Sequence, residues 1–129
     1  MMIVGIGIDI VEISRIKQAV KKWSGRFLNR IFTERELEYA HGKSIPCQHL
    51  AARFAAKEAV LKAIGDNTIH RIEWVNVEIL NDEHGKPVVN LSGQAKKIKQ
   101  EKNISEIIIS MSHTRTYAAA NAIILINDK

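Results

Sequence analysis

The first group of residues in this 129-residue chain that could do chemistry is an aspartate preceded by two glycines. Gly5, Gly7 and Asp9 alternate along an apolar segment, so in a strand they would share one face. Missing side chains beside a carboxylate leave room for a ligand or for another backbone to approach it. The structural alternative is that Asp9 caps the following turn and the glycines allow close packing. The spacing is not a dinucleotide-binding fingerprint, because no third glycine follows.

Four charged residues in an otherwise apolar segment form the second group. Arg53 and Lys57 are four residues apart, as are Glu58 and Lys62, so each pair would be neighbours on a helix. Unpaired charges are expensive to bury, so a buried helix would force them to find partners. A surface ion pair between Glu58 and Lys62 is the simplest interpretation. The alternative pairs Glu58 with Asp9 and places the three cations nearby, an arrangement that suits a divalent cation and phosphate groups.

The third group is the run Ser112-His113-Thr114-Arg115 near the end of a predicted strand. Ser112 and His113 are adjacent, so in a strand they point to opposite faces and cannot act on each other as nucleophile and base. A hydrolase triad is therefore disfavoured. An imidazole beside a hydroxyl could bind a phosphate, and a polar strand-to-turn junction is the other interpretation. The spacing favours neither.

Positive charge is concentrated in one segment of the chain. Lys and Arg number 19 and Asp and Glu number 14, which gives a formal net charge of +5. Between Ser14 and Arg30 basic residues occur with no acidic one, and the rest of the chain is close to neutral. This distribution disfavours a uniformly basic nucleic-acid-binding protein and fits a local acidic partner. The lysines at 96, 97, 99 and 102 are expected to form a solvated helix face.

Other features indicate the cellular compartment in which the protein is expected. Cys47 is the single cysteine, so we expect no intrachain disulfide and a reducing compartment. The apolar N-terminal segment has no basic leader and is interrupted by Asp9 and Glu12, which is unlike a signal peptide. No stretch approaches the roughly twenty apolar residues that a membrane-spanning helix needs. We therefore expect a soluble, cytoplasmic protein with no membrane partner.

The first half of the chain is predicted to be mainly helical. Alternating apolar residues predict a strand over 2–11, followed by an amphipathic helix capped by Ser14 with a break near Gly25. Thr-x-x-Glu spacing predicts a capping box that opens a helix over 33–42. Proline and glycine at its ends delimit a further helix over 46–65.

The second half is predicted to be mainly strands. Apolar residues over 72–80 and 88–91, separated by turn residues, predict a hairpin. A short lysine-rich helix follows, and two apolar strands over 104–111 and 117–126 complete the pattern. With no linker, repeat or low-complexity segment, the chain is predicted to be one α+β domain over residues 1–129.

Five sequence blocks together resemble the holo-acyl-carrier-protein synthases, the small trimeric class of 4′-phosphopantetheinyl transferases. The blocks are GIGIDIVEISRI from residue 5, FTERELEYA at 32–40, RFAAKEAVLKAIG at 53–65, NDEHGKP at 81–87 and SMSHTRTYAAANAII at 110–124. They follow the family's order and spacing and cover nearly the whole chain. The resemblance implies an antiparallel sheet packed on helices, and a homotrimer with sites at its subunit interfaces.

The resemblance also implies an activity. Such enzymes transfer the phosphopantetheine arm of coenzyme A to a serine of apo acyl carrier protein and release adenosine 3′,5′-bisphosphate. Asp9 and Glu58 match the family's Mg²⁺ ligands, and Lys62 matches the lysine that reaches the pyrophosphate, so these three are the expected catalytic residues. The base that deprotonates the serine is left open between Glu58 and a metal-bound water near Asp9.

Binding residues are carried over from the family in the same way. In the family, several residues line the nucleotide part of the coenzyme A site, and some of them come from the neighbouring subunit. The matching residues in this chain are Arg53, Gly85, His113 and Thr114. The arginine that starts the carrier-binding helix is matched by Arg15, with Lys21, Lys22 and Arg26 as helpers. Carrier proteins of this kind are strongly acidic, so the resemblance gives the basic segment a protein partner and not a nucleic acid.

Two other functions would each account for part of this pattern. A small basic module that binds RNA or an acidic protein without catalysis would explain the basic segment, but it gives no role to Asp9 or Glu58. An unrelated Mg²⁺-dependent phosphodiesterase would explain the two carboxylates, but it gives no role to the basic segment.

Overall fold

Two antiparallel sheets and four α-helices make up the fold, which a computed structural model describes for residues 1–127, with Ser24 described by its backbone alone. In chain order the elements are β1 (Met2–Glu12), α1 (Ile13–Ile31), α2 (Glu34–His41), α3 (Pro46–Ile64), β2 (Val77–Asn81), β3 (Pro87–Leu91), α4 (Gly93–Glu101), β4 (Ile104–His113) and β5 (Tyr117–Ile126). Two short 3₁₀ helices, Asn67–Arg71 and Trp74–Asn76, join α3 to β2. The predicted α+β class with antiparallel sheets on helices is confirmed.

The larger sheet has β5 in its centre, between β1 and β4. Helix α3 packs on one face of this sheet, where alanines on both sides keep helix and sheet close. Ala120 and Ala122 of β5 and Ala59 of α3 are all buried in that contact. In the register of the sheet Asp9 lies opposite Ala120, so the aspartate belongs to the face that α3 covers.

The two glycines of β1 allow the helix backbone to touch the strand. A Cβ atom on Gly5 would overlap the carbonyl oxygen of Ala63, and one on Gly7 would overlap that of Ala59. The interpretation of these glycines as close-packing residues is therefore confirmed, and the approaching backbone is that of α3. Because side chains alternate along a strand, the same contact brings Asp9 up to the helix.

The opposite face of β1 is apolar and exposed. Ile6, Ile8 and Ile10 are 65–69% exposed, and Val4 is 52% exposed. Ile6 lies across from Ile123 of β5 in the register of the sheet. A strip of aliphatic side chains this exposed is typical of a surface that another protein covers.

Helix α1 corrects two predictions. It begins at Ile13, with Glu12 and not Ser14 at the N-cap position, and it continues through Gly25 to Ile31 with no break. A glycine inside a helix costs about 1 kcal/mol relative to alanine. Here the buried side chains of Ile16 and Ile31, on either side of that glycine, hold the helix on the core.

The ends of α2 and α3 follow the predicted signals. Thr33 Oγ1 accepts a hydrogen bond from Glu36 N at 3.3 Å, and Glu36 Oε1 accepts one from Thr33 N at 2.8 Å, which completes the capping box. Pro46 occupies the first turn of α3. Gly65 ends it in the left-handed conformation, with φ of 73°. No helix within residues 1–127 is both long and apolar enough to cross a bilayer.

The strand predicted over 72–80 is shorter in the structure. β2 starts only at Val77, and the preceding Trp74–Asn76 is a 3₁₀ turn in which Asn76 Oδ1 accepts a hydrogen bond from Glu73 N at 3.1 Å. The Trp74 ring stacks on Phe54 with 5.0 Å between centroids. A short apolar run does not distinguish a strand from such a turn by its pattern alone.

Candidate functional site

The strand–helix contact creates a cluster of Asp9, Glu58 and Lys62, here called the carboxylate cluster. Lys62 Nζ donates to Asp9 Oδ1 at 2.9 Å and to the carbonyl oxygen of Ile8 at 3.1 Å. The side chain of Asp9 is 16% exposed and that of Lys62 is 53% exposed, so the cluster opens to solvent on the lysine side. Lys62 thus pairs with Asp9 across the contact, and not with Glu58 one turn earlier on its own helix.

Glu58 is half-buried beside this pair. Burial and the negative charge of Asp9 raise the pKa of Glu58, and the positive charge of Lys62 opposes the rise. The two carboxylates therefore lie close enough to repel each other. A cation placed between them would remove that repulsion.

The donor set of the carboxylate cluster suits Mg²⁺. Within residues 1–127 no group of three or more His, Cys, Asp or Glu side chains is arranged to hold a metal ion. Mg²⁺ commonly takes only one or two protein carboxylates and completes its coordination with water and substrate phosphates. Asp9 and Glu58 together supply that number of carboxylates, and Lys62 adds a cation for a phosphate group.

Lys57 is not part of the carboxylate cluster, which corrects the expectation that three cations lie near it. Its side chain is fully buried, and Nζ lies 2.9 Å from Glu36 Oε1 in an ion pair. Nζ also donates to the carbonyl oxygens of Val77 at 2.6 Å and Trp74 at 3.1 Å. Glu36 Oε2 accepts from Ile79 N at 2.8 Å. The pair thus joins α2, α3 and β2, and all three ammonium protons of Lys57 have acceptors.

Arg53 lies in a second group, on another side of α3. It is 2% exposed, and its guanidinium lies 4.1 Å from the ring centroid of Tyr39. Nη2 donates to Asn81 Oδ1, and Asn81 Nδ2 donates to the carbonyl oxygen of Gly85 at 2.9 Å. Two predicted binding positions, Arg53 and Gly85, are therefore joined through Asn81. Among the described residues, Arg53 Nε is a buried donor with no hydrogen-bond partner.

His113 joins the same group through a line of rings. Its imidazole lies 5.7 Å from that of His49, edge to face, and His49 lies 5.7 Å from the ring of Tyr39 in the same manner. Tyr39, His49, Arg53 and His113 are here called the ring cluster. The structure thus brings His113, at the end of β4, to the helix that carries Arg53.

Thr114 lies next to His113, and its hydroxyl holds the turn between β4 and β5. Thr114 Oγ1 accepts hydrogen bonds from Thr116 N at 3.2 Å and from Tyr117 N at 3.0 Å. The structure therefore gives this hydroxyl a local structural role and places it, exposed, beside the ring cluster.

The carboxylate cluster and the ring cluster face different directions. Arg53 and Glu58 are five residues apart on α3, which at about 100° per residue separates their side chains by about 140° around the helix. One chain therefore carries two half-sites that do not converge.

The predicted carrier-binding residues lie on the exposed side of α1. Arg15, Lys22 and Arg26 are seven and four residues apart, which aligns them within about 40° around the helix. Lys21 points about 100° away from Lys22 around the helix, and all four residues are exposed. Beside this stripe, a groove of about 400 Å³ is lined by Trp23, Arg26, Phe27, Arg30, Ile31 and Trp74.

The lysine-rich helix α4 lies away from both clusters. Lys96 and Lys97 are exposed as expected, while Lys99 and Lys102 are partly buried and Lys102 pairs with Asp66. Three of these lysines border a cavity of about 960 Å³ between β3, α4 and the start of β4. None of the predicted site residues lines that cavity.

Tyr39, His49 and Asn81 were not among the predicted site residues. His49 is one helical turn before Arg53, so the four-residue spacing that singled out the other pairs on α3 could have indicated it. Tyr39 and Asn81 lie within blocks already noted for other reasons, and no spacing relates them to Arg53. Their roles depend on tertiary contacts.

Comparison with known proteins gives consistent matches over the whole fold. A family model described as the 4′-phosphopantetheinyl transferase superfamily matches residues 5–122. The holo-[acyl-carrier-protein] synthase of Protochlamydia amoebophila is 47% identical over 122 residues, which cover 95% of this chain and 98% of that protein. The Bacillus anthracis synthase solved in complex with CoA (3′,5′-ADP) has a TM-score of 0.79 and 34% identity, covering 98% of this chain and 100% of that one. The Helicobacter pylori synthase in complex with coenzyme A has a TM-score of 0.82 and 30% identity, covering 93% and 99% respectively.

Proposed function

Because the chain belongs to the 4′-phosphopantetheinyl transferase superfamily, we propose that it transfers the phosphopantetheine arm of coenzyme A to a serine of an apo acyl carrier protein. The observation that carries the proposal is the carboxylate cluster, in which Lys62 pairs with Asp9 across the glycine contact of β1 with α3, and Glu58 is close enough for the charge of Asp9 to raise its pKa. The names of the relatives and the coenzyme A in two of the similar structures support the same activity.

In the proposed reaction the serine oxygen bonds to the phosphorus that carries the pantetheine arm. The bond from that phosphorus to the bridging pyrophosphate oxygen breaks, and adenosine 3′,5′-bisphosphate leaves with the bonding electrons. Phosphoryl transfer of this kind depends chiefly on positioning and charge stabilisation. Mg²⁺, when held by Asp9 and Glu58, supplies positive charge to the phosphate oxygens.

The chain's own residues would position the pyrophosphate and take up the proton. Lys62 already donates to Asp9 and projects to the solvent side of the cluster, so a pyrophosphate arriving there meets an ammonium group within reach. The serine proton passes to Glu58 or to a water beside Asp9, the two acceptors that the cluster offers.

The ring cluster is the proposed site of the nucleotide. Arg53 offers a buried guanidinium whose Nε has no partner among the described residues. Gly85 is linked to it through Asn81, His113 belongs to the same cluster through His49, and Thr114 follows His113. Because this cluster and the carboxylate cluster lie on different sides of α3, we propose that each coenzyme A binds between two subunits of a homotrimer. The exposed aliphatic face of β1 is the proposed subunit contact.

The basic stripe of α1 is the proposed docking surface for the carrier protein. Arg15, Lys22 and Arg26 project together from the exposed side of the helix, and Lys21 is exposed on an adjoining side. Charge of this kind favours encounter with an acidic partner and fixes its orientation. A non-catalytic basic module would use the same stripe but would leave the carboxylate cluster without a role.

The direct test is to mix the protein with apo acyl carrier protein, coenzyme A and Mg²⁺ and to weigh the carrier by mass spectrometry. We expect a gain of one phosphopantetheine group, and no gain when EDTA removes the metal. Absence of any gain across a panel of acidic carrier proteins would refute the transferase. Light scattering gives the mass of the assembly, and a monomer at micromolar concentration would refute the shared site.

A further inference from the structure

His49 has a position in the ring cluster that the proposed reaction does not yet use. It lies on α3 one turn before Arg53, half-buried, with its imidazole between the rings of Tyr39 and His113. The ring cluster thus contains two imidazoles side by side, and the second one is not part of the set matched to the family.

The groups that face His49 are cationic or neutral. Burial comes first among the causes that lower the pKa of His49, followed by the charges of Arg53 on α3, His113 on β4 and Lys43 in the segment before α3. Tyr39 of α2 adds a neutral ring, with Lys43 Nζ 4.6 Å from its centroid. Among the residues that the structure describes, no carboxylate is a cause of this shift. Burial and these neighbours therefore disfavour the imidazolium form of His49.

The ring cluster also has a donor without an acceptor. Arg53 is 2% exposed, and its Nε has no hydrogen-bond partner within the described chain. A buried donor left unpaired costs about 1–3 kcal/mol, so such a group in a native protein calls for an explanation. Excess positive charge together with an unused buried donor is complementary to an anion.

We propose that His49 is a further binding residue for a phosphate group of the nucleotide, and that its imidazole takes up a proton when the phosphate binds. The inference rests on the proposed function, because it assumes that the ring cluster holds the nucleotide of coenzyme A. A phosphate dianion changes the sign of the local potential, so it favours the imidazolium that Arg53, His113 and Lys43 disfavour in the free protein. The proton comes from solvent, and no bond to the ligand is made or broken.

Proton uptake makes nucleotide affinity depend on pH in a defined direction. Affinity rises as the pH falls towards the pKa of His49 in the free protein, and it becomes independent of His49 well above its pKa in the complex. For each unit by which the ligand raises the pKa of His49, the affinity for the nucleotide can rise by at most tenfold between high and low pH. We expect a rise of about 3- to 10-fold.

The test compares the intact full-length protein with His49→Phe, which keeps a ring between Tyr39 and His113 but has no proton to exchange. Calorimetry with adenosine 3′,5′-bisphosphate at pH 6 and pH 8.5, in two buffers of different ionisation enthalpy, measures both affinity and proton uptake. The phosphate titration of the ligand is common to both proteins and cancels in the comparison. The same comparison in a His113→Gln background removes the response of His113, which is coupled to His49. His49→Gln is a second variant that keeps a hydrogen-bonding group in case the larger ring disturbs packing.

We expect the unaltered protein to bind about 3- to 10-fold more tightly than His49→Phe at pH 6, to take up more protons, and to match it at pH 8.5. Equal pH dependence and equal proton uptake in both proteins would overturn the role of His49 and leave the proposed transferase intact. Failure of both proteins to bind the nucleotide at either pH would overturn the proposed coenzyme A site as well. The experiment is repeated with adenosine 5′-monophosphate, which has no 3′-phosphate. If the two proteins then bind with equal affinity, the effect of His49 is assigned to the 3′-phosphate.

Discussion

Lys62 of α3 and Asp9 of β1 are joined by a 2.9 Å ion pair, although 53 residues separate them in the chain. The pair exists because Gly5 and Gly7 let the helix backbone lie against the strand that carries the aspartate. Glu58 lies one turn before Lys62, and the charges of Asp9 and Lys62 act on its pKa in opposite directions. The geometry of the proposed metal site is thus a consequence of backbone packing.

The isosteric variants Asp9→Asn and Glu58→Gln are expected to lower the turnover number by about 100-fold or more while the protein stays folded, because each removes a carboxylate charge from the proposed Mg²⁺ site. The measurement is the initial rate of carrier modification at saturating Mg²⁺, with circular dichroism to verify the fold. Glu12→Gln, an exposed carboxylate on the same strand, is the matched control. Unchanged turnover in either cluster variant would remove that residue from the metal site.

Glu58→Gln is also expected to stabilise the metal-free protein above the normal glutamate pKa. A raised pKa in the folded state means that the folded protein holds the proton more tightly than the unfolded chain, so stability is lost as the pH rises through the folded pKa. The neutral glutamine avoids that loss. Thermal melts in EDTA should give a Tm about 1–3 °C higher than the unaltered protein at pH 8, with the difference gone near pH 4. A lower Tm at pH 8 would contradict the repulsion between Glu58 and Asp9.

Gly7→Ala is expected to destabilise the fold by about 3 kcal/mol, because the new Cβ would force the strand away from α3. Gly25→Ala is the matched control, since a Cβ at Gly25 has Asn29 Nδ2 at 3.9 Å as its nearest neighbour. That change replaces a glycine inside helix α1 and should stabilise by up to about 1 kcal/mol. Urea unfolding of both variants measures the difference. Equal free energies of unfolding would disprove the close contact at Gly7.

Lys57→Met is expected to destabilise the fold by about 3–5 kcal/mol, since it leaves Glu36 as an uncompensated buried charge. The double variant Lys57→Met with Glu36→Gln removes both charges and keeps an oxygen for the backbone of Ile79. It should be less destabilised than the sum of the two single variants by about 1–3 kcal/mol. A double-mutant cycle in urea measures this coupling, and strict additivity would show that the two charges do not interact.

Reversal of charge at Arg15 and Lys22 is expected to raise the KM for the carrier protein by about tenfold, because these residues provide the proposed docking charge. The KM for coenzyme A should stay nearly unchanged. Reversal at Lys96 and Lys97 of α4 alters the net charge by the same amount at another surface and is the control. An equal rise in both KM values, or the same effect from the α4 control, would argue against docking on α1.

Local patterns predicted much of the fold because they act within one element. The alternation of β1 placed Asp9 on the face of the glycines, and the capping box at Thr33 and the glycine at 65 marked the helix ends correctly. The continuation of α1 through Gly25 was not predictable, since it depends on side chains that other elements bury.

The candidate site was harder to predict than the fold, because its contacts join residues on different elements. The spacing on α3 identified four charged residues. It did not show that Lys57 pairs with Glu36 and Lys62 with Asp9. Those choices depend on the direction in which each face of α3 packs. His49 was missed for the same reason, because its neighbour His113 lies 64 residues further along the chain.

The placement of the two half-sites on different sides of one helix has a kinetic consequence. In the proposed trimer a subunit set free by dilution holds only unmatched parts of two active sites. The reaction rate would then rise more steeply than in proportion to enzyme concentration wherever subunits dissociate. Association through the exposed isoleucines of β1 would then convert inactive subunits into an active enzyme.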